Sequence, residues 1–251
     1  MLQPWQKAKV TRIEQATAQT RRFWLELTEV NDFPFEPGQF VTLDLPIHEK
    51  KNKRWRSYSI ASWPDGTNTI ELVIVRLEGG LGTRYLFEDV SVEEGSELLL
   101  RGPQGKFVLP ANIDRDLYFI CTGTGIAPFR SMVHHIHRMN IPHKKIHLVF
   151  GCRTFGDCLY GPELKQLEKE MSDFYHHPCF SREQDVPNGS HVGYVHGVYE
   201  QMVKQHPGYQ EGKPAPAYFY LCGWKEMIDE AKARILAMGY TKEDVHLELY
   251  G

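Results

Sequence analysis

The sequence has no apolar run approaching the roughly 20 residues that a membrane-spanning helix needs. Its first ten residues, MLQPWQKAKV, are too polar for a secretory signal. It lacks a large excess of either charge: the formal net charge is −3, so bulk electrostatics give no attraction to nucleic acid or an anionic membrane. Cysteine is scarce, with five residues scattered from Cys121 to Cys222. An odd, scattered set is no disulfide framework, and the expectation is a reducing, cytoplasmic setting. Cys152 and Cys158 match no standard zinc or iron–sulfur spacing. His134, His135 and His137 share one helical segment and read as a solvated face, so no metal site is expected. There is no internal repeat or low-complexity linker, and no Ser-His-Asp order or carboxylate pair suggests hydrolysis.

What remains is a chain of 251 residues, 41% hydrophobic and 24% charged, enough for one large domain or two ordinary ones. The first half reads as β structure. QFVTLDL, RSYSIAS, TIELVIVRL and SELLLRG are short strand candidates between Gly- and Pro-bearing turns, which suggests an antiparallel barrel or sandwich. TRYLFEDV is a short helical candidate. RSYSIAS alternates in an unusual way. One face carries Arg56, Tyr58 and Ile60; the other carries Ser57, Ser59 and Ala61.

The pattern changes near residues 109–116. From there DLYFICT, KKIHLVFG, DFYHHPCFS, AYFYLCG and DVHLELYG are strand candidates. They are separated by helical patterns, clearest in KEMIDEAKARILAMG, with QMVKQH as a helical turn. Strand–helix alternation implies a parallel sheet with right-handed crossovers. The expected domains are 1–112 and 113–251.

Gly123 and Gly125 follow a strand and precede a helix, where backbone N–H groups and the helix dipole favour a phosphate. The third glycine of the usual dinucleotide fingerprint is missing, and a tight structural turn is the competing explanation. Ser181 and Arg182 fall at the end of the third strand of this half, where a hydroxyl and a guanidinium suit a phosphate or serve only as a polar loop. Cys222 and Gly223 end the fourth strand and leave room for a flat ring; alternatively Cys222 is a small buried hydrophobe.

RSYS, GPQGKF, GTGIAP, SREQ, YVH, CGWKEM and the final HLELY occur in this order. Together they resemble the ferredoxin–NADP reductase family, from about residue 36 to the end. The resemblance implies an FAD-binding antiparallel β-barrel followed by an α/β parallel-sheet nicotinamide-binding domain. It implies that Arg56 holds the FAD pyrophosphate, Tyr58 packs on the isoalloxazine, and Ser59 lies near the reactive flavin nitrogen. Val73 and Val75 would follow the flavin and ribityl chain, and Gly82 and Thr83 would meet the FAD phosphates. Gly123, Thr124 and Gly125 would take the nicotinamide pyrophosphate. Ser181 and Arg182 would contact the 2′-phosphate that distinguishes NADP from NAD. Tyr194 would pack near adenine, in a motif where the family often has Gln at the position of His196, and Arg153 is a further candidate at that end. Cys222 would lie beside the nicotinamide. Glu248 would act as a polar relay, and Tyr250 would shield the flavin until nicotinamide displaces it, although Gly251 follows it here.

Hydride transfer needs its two atoms within roughly 3–3.5 Å, face to face, so small groups such as Ser59, Cys222 and Gly223 suit the contact. The expected activity is electron exchange between NADP(H) and a separate carrier, ferredoxin or flavodoxin. The run Lys50, Lys51, Lys53, Arg54 and Arg56 would steer an acidic partner, or is only a solvated loop, from which Arg56 is excluded if it holds FAD. The alternatives are an NADH-dependent oxygenase reductase or free-flavin reductase on the same fold, and a flavin-bearing subunit without turnover.

Overall fold

The computed structural model describes residues 3–89, 92–210 and 213–250. Gly251 and Val90, part of the short helical candidate, lie outside them. The chain divides into two units, residues 1–109 with 127–138, and residues 110–126 with 139–251. The segment 127–138, expected in the second domain, is therefore counted with the first.

The first unit is a six-stranded antiparallel sheet of β1 (Gln6–Thr17), β2 (Thr20–Leu27), β3 (Phe40–Asp44), β4 (Trp55–Ser59), β5 (Thr69–Val75) and β6 (Glu97–Gln104). The spatial order is β4-β3-β6-β1-β2-β5. An antiparallel bridge between Ile60 and Leu72 joins the two edges and closes the sheet into a barrel. Its interior is filled by alternate residues: Ala8 and Val10 of β1, Phe23, Leu25 and Leu27 of β2, Val41 and Leu43 of β3, and Ile70, Leu72 and Ile74 of β5. Period-two burial explains why these strands form as they do. A four-residue helix, α1 (Leu81–Arg84), follows β5 and runs into a wider turn over Tyr85–Asp89.

The opposite face of β5 carries Glu71, a residue only 2% exposed. Arg22 of β2 reaches it through Nε at 2.6 Å and Nη2 at 3.1 Å. Arg130 reaches it through Nη1 at 2.9 Å and also donates to the Ala61 carbonyl at 2.8 Å. Arg130 belongs to α2 (Ile126–Arg138). The same helix stacks His134 on Trp63 and sets Phe129 edge-on to Phe107. His134 is thus half-buried against an indole rather than on a solvated face.

The second unit is a six-stranded parallel sheet, order β10-β9-β8-β7-β11-β12. Its strands are β7 (Asp116–Thr122), β8 (Ile146–Cys152), β9 (Phe174–Phe180), β10 (His191–Val192), β11 (Ala217–Trp224) and β12 (Val245–Tyr250). The connections include α3 (Gly161–Glu170), α4 (Val195–Gln205) and α5 (Lys225–Ala237). Central strands such as β7 and β11 are buried on both faces, hence their unbroken apolar sequences. α4 and α5 bury Val198, Tyr199, Ile228 and Ile235 against Tyr118, Ile120, Phe219 and Leu221. Among the described residues no helix is long and apolar enough to cross a membrane.

Removing the charge of Glu71 leaves two guanidiniums facing a buried neutral group. Such a loss costs about 3 kcal/mol or more when the partner stays charged and buried. Glu71→Gln is expected to lower the denaturant midpoint of unfolding accordingly; an unchanged midpoint would show that the network is energetically idle.

Candidate active site

Each unit carries its own group of candidate residues. In the barrel they cluster on β4 and α1. Arg56 and Tyr58 lie opposite Leu43 and Val41 of β3, so both share the face that leads to the barrel interior. Tyr58 is half-buried against that core. Burial pushes its hydroxyl pKa up, and the nearby Arg56 cation partly offsets this. The other face is polar: the Thr42 and Ser57 hydroxyls lie 3.1 Å apart, and Gln104 donates to Thr42 Oγ1 at 3.1 Å. Ser59 is buried beside Phe40.

The Arg56 guanidinium donates to the carbonyls of Lys53 (3.1 Å) and Trp55 (2.8 Å). It makes no ion pair among the described residues. Its aliphatic stem crosses the start of α1: a Cβ on Gly82 would stand 2.9 Å from Arg56 Cγ. Gly82 is therefore the residue that lets this cation lie against the helix start. The Thr83 hydroxyl is used internally, accepting from Leu77 N at 3.1 Å and lying 3.2 Å from the Leu77 carbonyl. Its side chain staples the turn. Val73 is buried and Val75 half-buried, on the same β5 face as Glu71 and away from the barrel core.

In the sheet unit the candidates sit at the carboxyl ends of the parallel strands, where such sheets take ligands. Gly123–Gly125 is a single 3₁₀ turn leading into α2. Gly125 presses on β11: a Cβ there would lie 2.4 Å from the Cys222 carbonyl oxygen. Thr124 is half-buried in this turn. Thr122, immediately before it, escaped the sequence reading. Its Oγ1 is shielded from solvent yet makes no hydrogen bond among the described residues. A Cβ on Gly223 would fall 2.8 Å from this oxygen. An orphaned hydroxyl beside bare glycine backbone at a helix start fits a polar, planar ligand with a phosphate. The signal in the sequence was a hydroxyl residue closing an otherwise apolar strand.

Cys222 is fully buried and pairs in register with Glu248 of β12. Burial, then the Glu248 charge, push its thiol well up, while a hydrogen bond from Tyr250 pulls the other way. The thiol is neutral, a small packing group and not a nucleophile. Tyr250 thus stands over the residue that the resemblance puts beside nicotinamide.

A third group lies at the ends of β8 and β9. The Ser181 N–H donates to the Cys152 carbonyl at 3.0 Å, and the Arg182 N–H to the Arg153 carbonyl at 2.9 Å. Arg153 and Arg182 are exposed, and neither has an ion pair among the described residues. Tyr194 is 76% exposed just before α4. His196 turns inward instead, 3.3 Å from the Tyr199 hydroxyl.

Residues 7–109 match the oxidoreductase FAD-binding domain family and residues 119–233 the oxidoreductase NAD-binding domain family. Over 97% of both chains, the sequence is 31% identical to ferredoxin–NADP reductase B of Sorangium cellulosum. The chain belongs to the ferredoxin–NADP reductase family. It is an oxidoreductase with FAD- and nicotinamide-binding domains. The sequence is also 29% identical to the reductase component of propane 2-monooxygenase from Rhodococcus jostii, with 97% of this chain matching 63% of that one. The fold resembles a Neisseria gonorrhoeae ferredoxin NADP+ reductase solved with FAD and NADP: TM-score 0.79, 21% identity, 98% of each chain. The Amycolatopsis cytochrome P450 reductase GcoB gives a TM-score of 0.82 at 24% identity, over 98% of this chain and 70% of that one.

The Arg56–Gly82 contact yields a prediction. Arg56→Ala is expected to weaken FAD retention by roughly ten- to hundredfold, the loss of a charge-assisted phosphate contact, read as flavin released on gel filtration. Ser59→Ala is expected to keep FAD and slow its reduction. Normal FAD binding by Arg56→Ala would remove the arginine from the site.

Proposed function

We propose that the protein exchanges electrons between NADP(H) and a separate one-electron carrier of the ferredoxin or flavodoxin kind. When bound, FAD would supply the hydride and single-electron chemistry that links the two. The observation that carries the NADP assignment is the pair of unpaired guanidiniums, Arg153 and Arg182, tied through a backbone hydrogen bond beside Ser181. A terminal phosphate is the ligand that such a group recognises and that NAD does not supply.

The remaining residues take complementary parts. Arg56 and the start of α1 hold the FAD phosphates, with Tyr58 against the ring and Ser59 at its edge. Gly123–Gly125 and the start of α2 hold the nicotinamide pyrophosphate, and the Thr122 hydroxyl gains there the partner it lacks. Cys222 and Gly223 keep the contact surface thin. Glu248 lies next to Cys222 as a polar relay, and Tyr250 covers the nicotinamide place until it is displaced. Tyr194 offers an exposed ring for adenine.

An oxygenase reductase component is the second reading, supported by relatives such as the propane and anthranilate enzymes. This chain spans 63% and 60% of those two, and 97% of the Sorangium reductase. Lys50, Lys51 and Lys53 are exposed before β4 and suit an acidic carrier. Arg54 does not join them, because it pairs with Asp44 at 2.7 Å.

Stopped-flow reduction of the bound flavin is expected to be far faster with NADPH than with NADH. Arg182→Ala should raise KM for NADPH by roughly tenfold or more and leave that for NADH nearly unchanged. Faster reduction by NADH in the wild type would move the assignment to the oxygenase reductase reading, and equal losses would take Arg182 out of the phosphate site.

A further inference from the structure

Cys152 ends β8 and Cys158 closes the following loop; both are half-buried free thiols. The loop between them folds back on itself. Phe155–Asp157 forms a 3₁₀ turn locked by Thr154 and Asp157, with the Thr154 hydroxyl donating to Asp157 at 2.8 Å. The return sets the two side chains against each other, so that each thiol shifts the other's titration, while the Cys152 S–H donates to the Thr154 carbonyl at 3.6 Å. The Cys158 sulfur also rests at the first turn of α3, since a Cβ on Gly161 would be 3.1 Å from it. A ten-residue helix stabilises a thiolate at its start. The adjacent Cys152 thiol draws the Cys158 thiol down, against burial, which raises it.

The same segment holds the third group of candidate residues. The Cys152 carbonyl accepts from Ser181 N–H, the Arg153 carbonyl from Arg182 N–H, and Glu183 accepts from the Phe155 N–H at 3.0 Å. Any rearrangement of residues 152–158 therefore pulls on Arg153, Ser181 and Arg182 together.

We propose that Cys152 and Cys158 form a reversible disulfide that weakens binding of the pyridine nucleotide at the ends of β8 and β9. The proposal rests on the reading of Arg153, Ser181 and Arg182 as the 2′-phosphate site. The oxidant is a peroxide, the two-electron product of oxygen reduction. The Cys158 thiolate attacks a peroxide oxygen and becomes a sulfenic acid, releasing hydroxide. Cys152 then attacks that sulfur, the S–S bond forms, and water leaves. Two thiols lose two electrons and two protons, and one hydrogen peroxide becomes two waters. In a reducing compartment such a disulfide is transient, as a sensor requires.

The test treats the FAD-loaded protein with a small excess of hydrogen peroxide, alkylates the remaining thiols and maps the peptides. Cys152 and Cys158 are expected to lose alkylation together, joined in one linked peptide, while buried Cys121, Cys179 and Cys222 keep theirs. KM for NADPH should rise about fivefold or more, with kcat and flavin content unchanged, and dithiothreitol should reverse both effects. Cys158→Ser should show neither; Cys152→Ser should accumulate a dimedone-reactive Cys158 without the rise in KM. Two wild-type thiols that stay alkylatable, or an equal KM rise in Cys158→Ser, would overturn the disulfide. A mapped disulfide with constant KM would overturn its effect on binding. Failure of the 2′-phosphate reading shows separately, as equal use of NADPH and NADH by the untreated protein.

Discussion

The carboxylate of Glu71 is the constraint around which the barrel unit is organised. It sits in the middle of β5, facing away from the apolar interior, in a place where an unpaired charge is prohibitively expensive. Two guanidiniums from different elements meet it, Arg22 from the neighbouring strand and Arg130 from α2. Arg130 spends another donor on the Ala61 carbonyl, two residues past the end of β4. One acidic side chain thus fixes the helix against the loop that follows the strand carrying Arg56, Tyr58 and Ser59. Hydrophobic contacts alone would permit α2 to slide along the barrel; hydrogen bonds with fixed directions do not. Trp63, held under His134 and the Arg138 guanidinium, extends the same anchoring by another turn.

The legibility of the fold varied with how each strand is buried. β7, β8 and β11 are covered on both faces, so their sequences are continuous apolar runs and stand out. β3, β4, β5 and β6 are bounded by Gly and Pro turns and were also readable. β1 and β2 were not marked, although they form the longest antiparallel pairing in the barrel. Their inward residues alternate with Lys, Arg and Glu, and the turn between them contains Ala18 and Gln19, with no glycine or asparagine to announce it. β10 is only two residues long and has no pattern to find. α4 runs well beyond QMVKQH, because its buried side begins at Val195 in a motif that had been read for its ligand.

The candidate residues were legible as motifs, but their working parts were not. Thr83 is expected to meet the FAD phosphates, and its hydroxyl closes its own turn. Arg54 belongs to the basic run by sequence, but just before β4 it pairs with Asp44 at the end of β3. Thr122 was overlooked because one hydroxyl in an apolar strand means nothing until its surroundings show that it has no partner. Cys152 and Cys158 were set aside on spacing alone. Spacing measures distance along the chain, and the 3₁₀ turn between them cancels that distance.

The C-terminal strand couples these local arrangements. Tyr250 donates to the sulfur of Cys222, so a flat ligand placed there must first break that contact and move an aromatic ring. If nicotinamide binds there as proposed, that end has little with which to offset this cost, since Cys222 and Gly223 present almost no side chain. In the proposed reaction the free energy comes from the other end of the cofactor, where Arg153, Ser181 and Arg182 gain charge-assisted bonds to phosphate. Binding energy at a remote group is then spent on displacement at the reacting one. Weakening the remote group leaves Tyr250 in place for a larger fraction of the time, without altering any residue near the hydride. On that proposal, a loop at the ends of β8 and β9 is for that reason an effective place to regulate a reaction assigned to the end of β11.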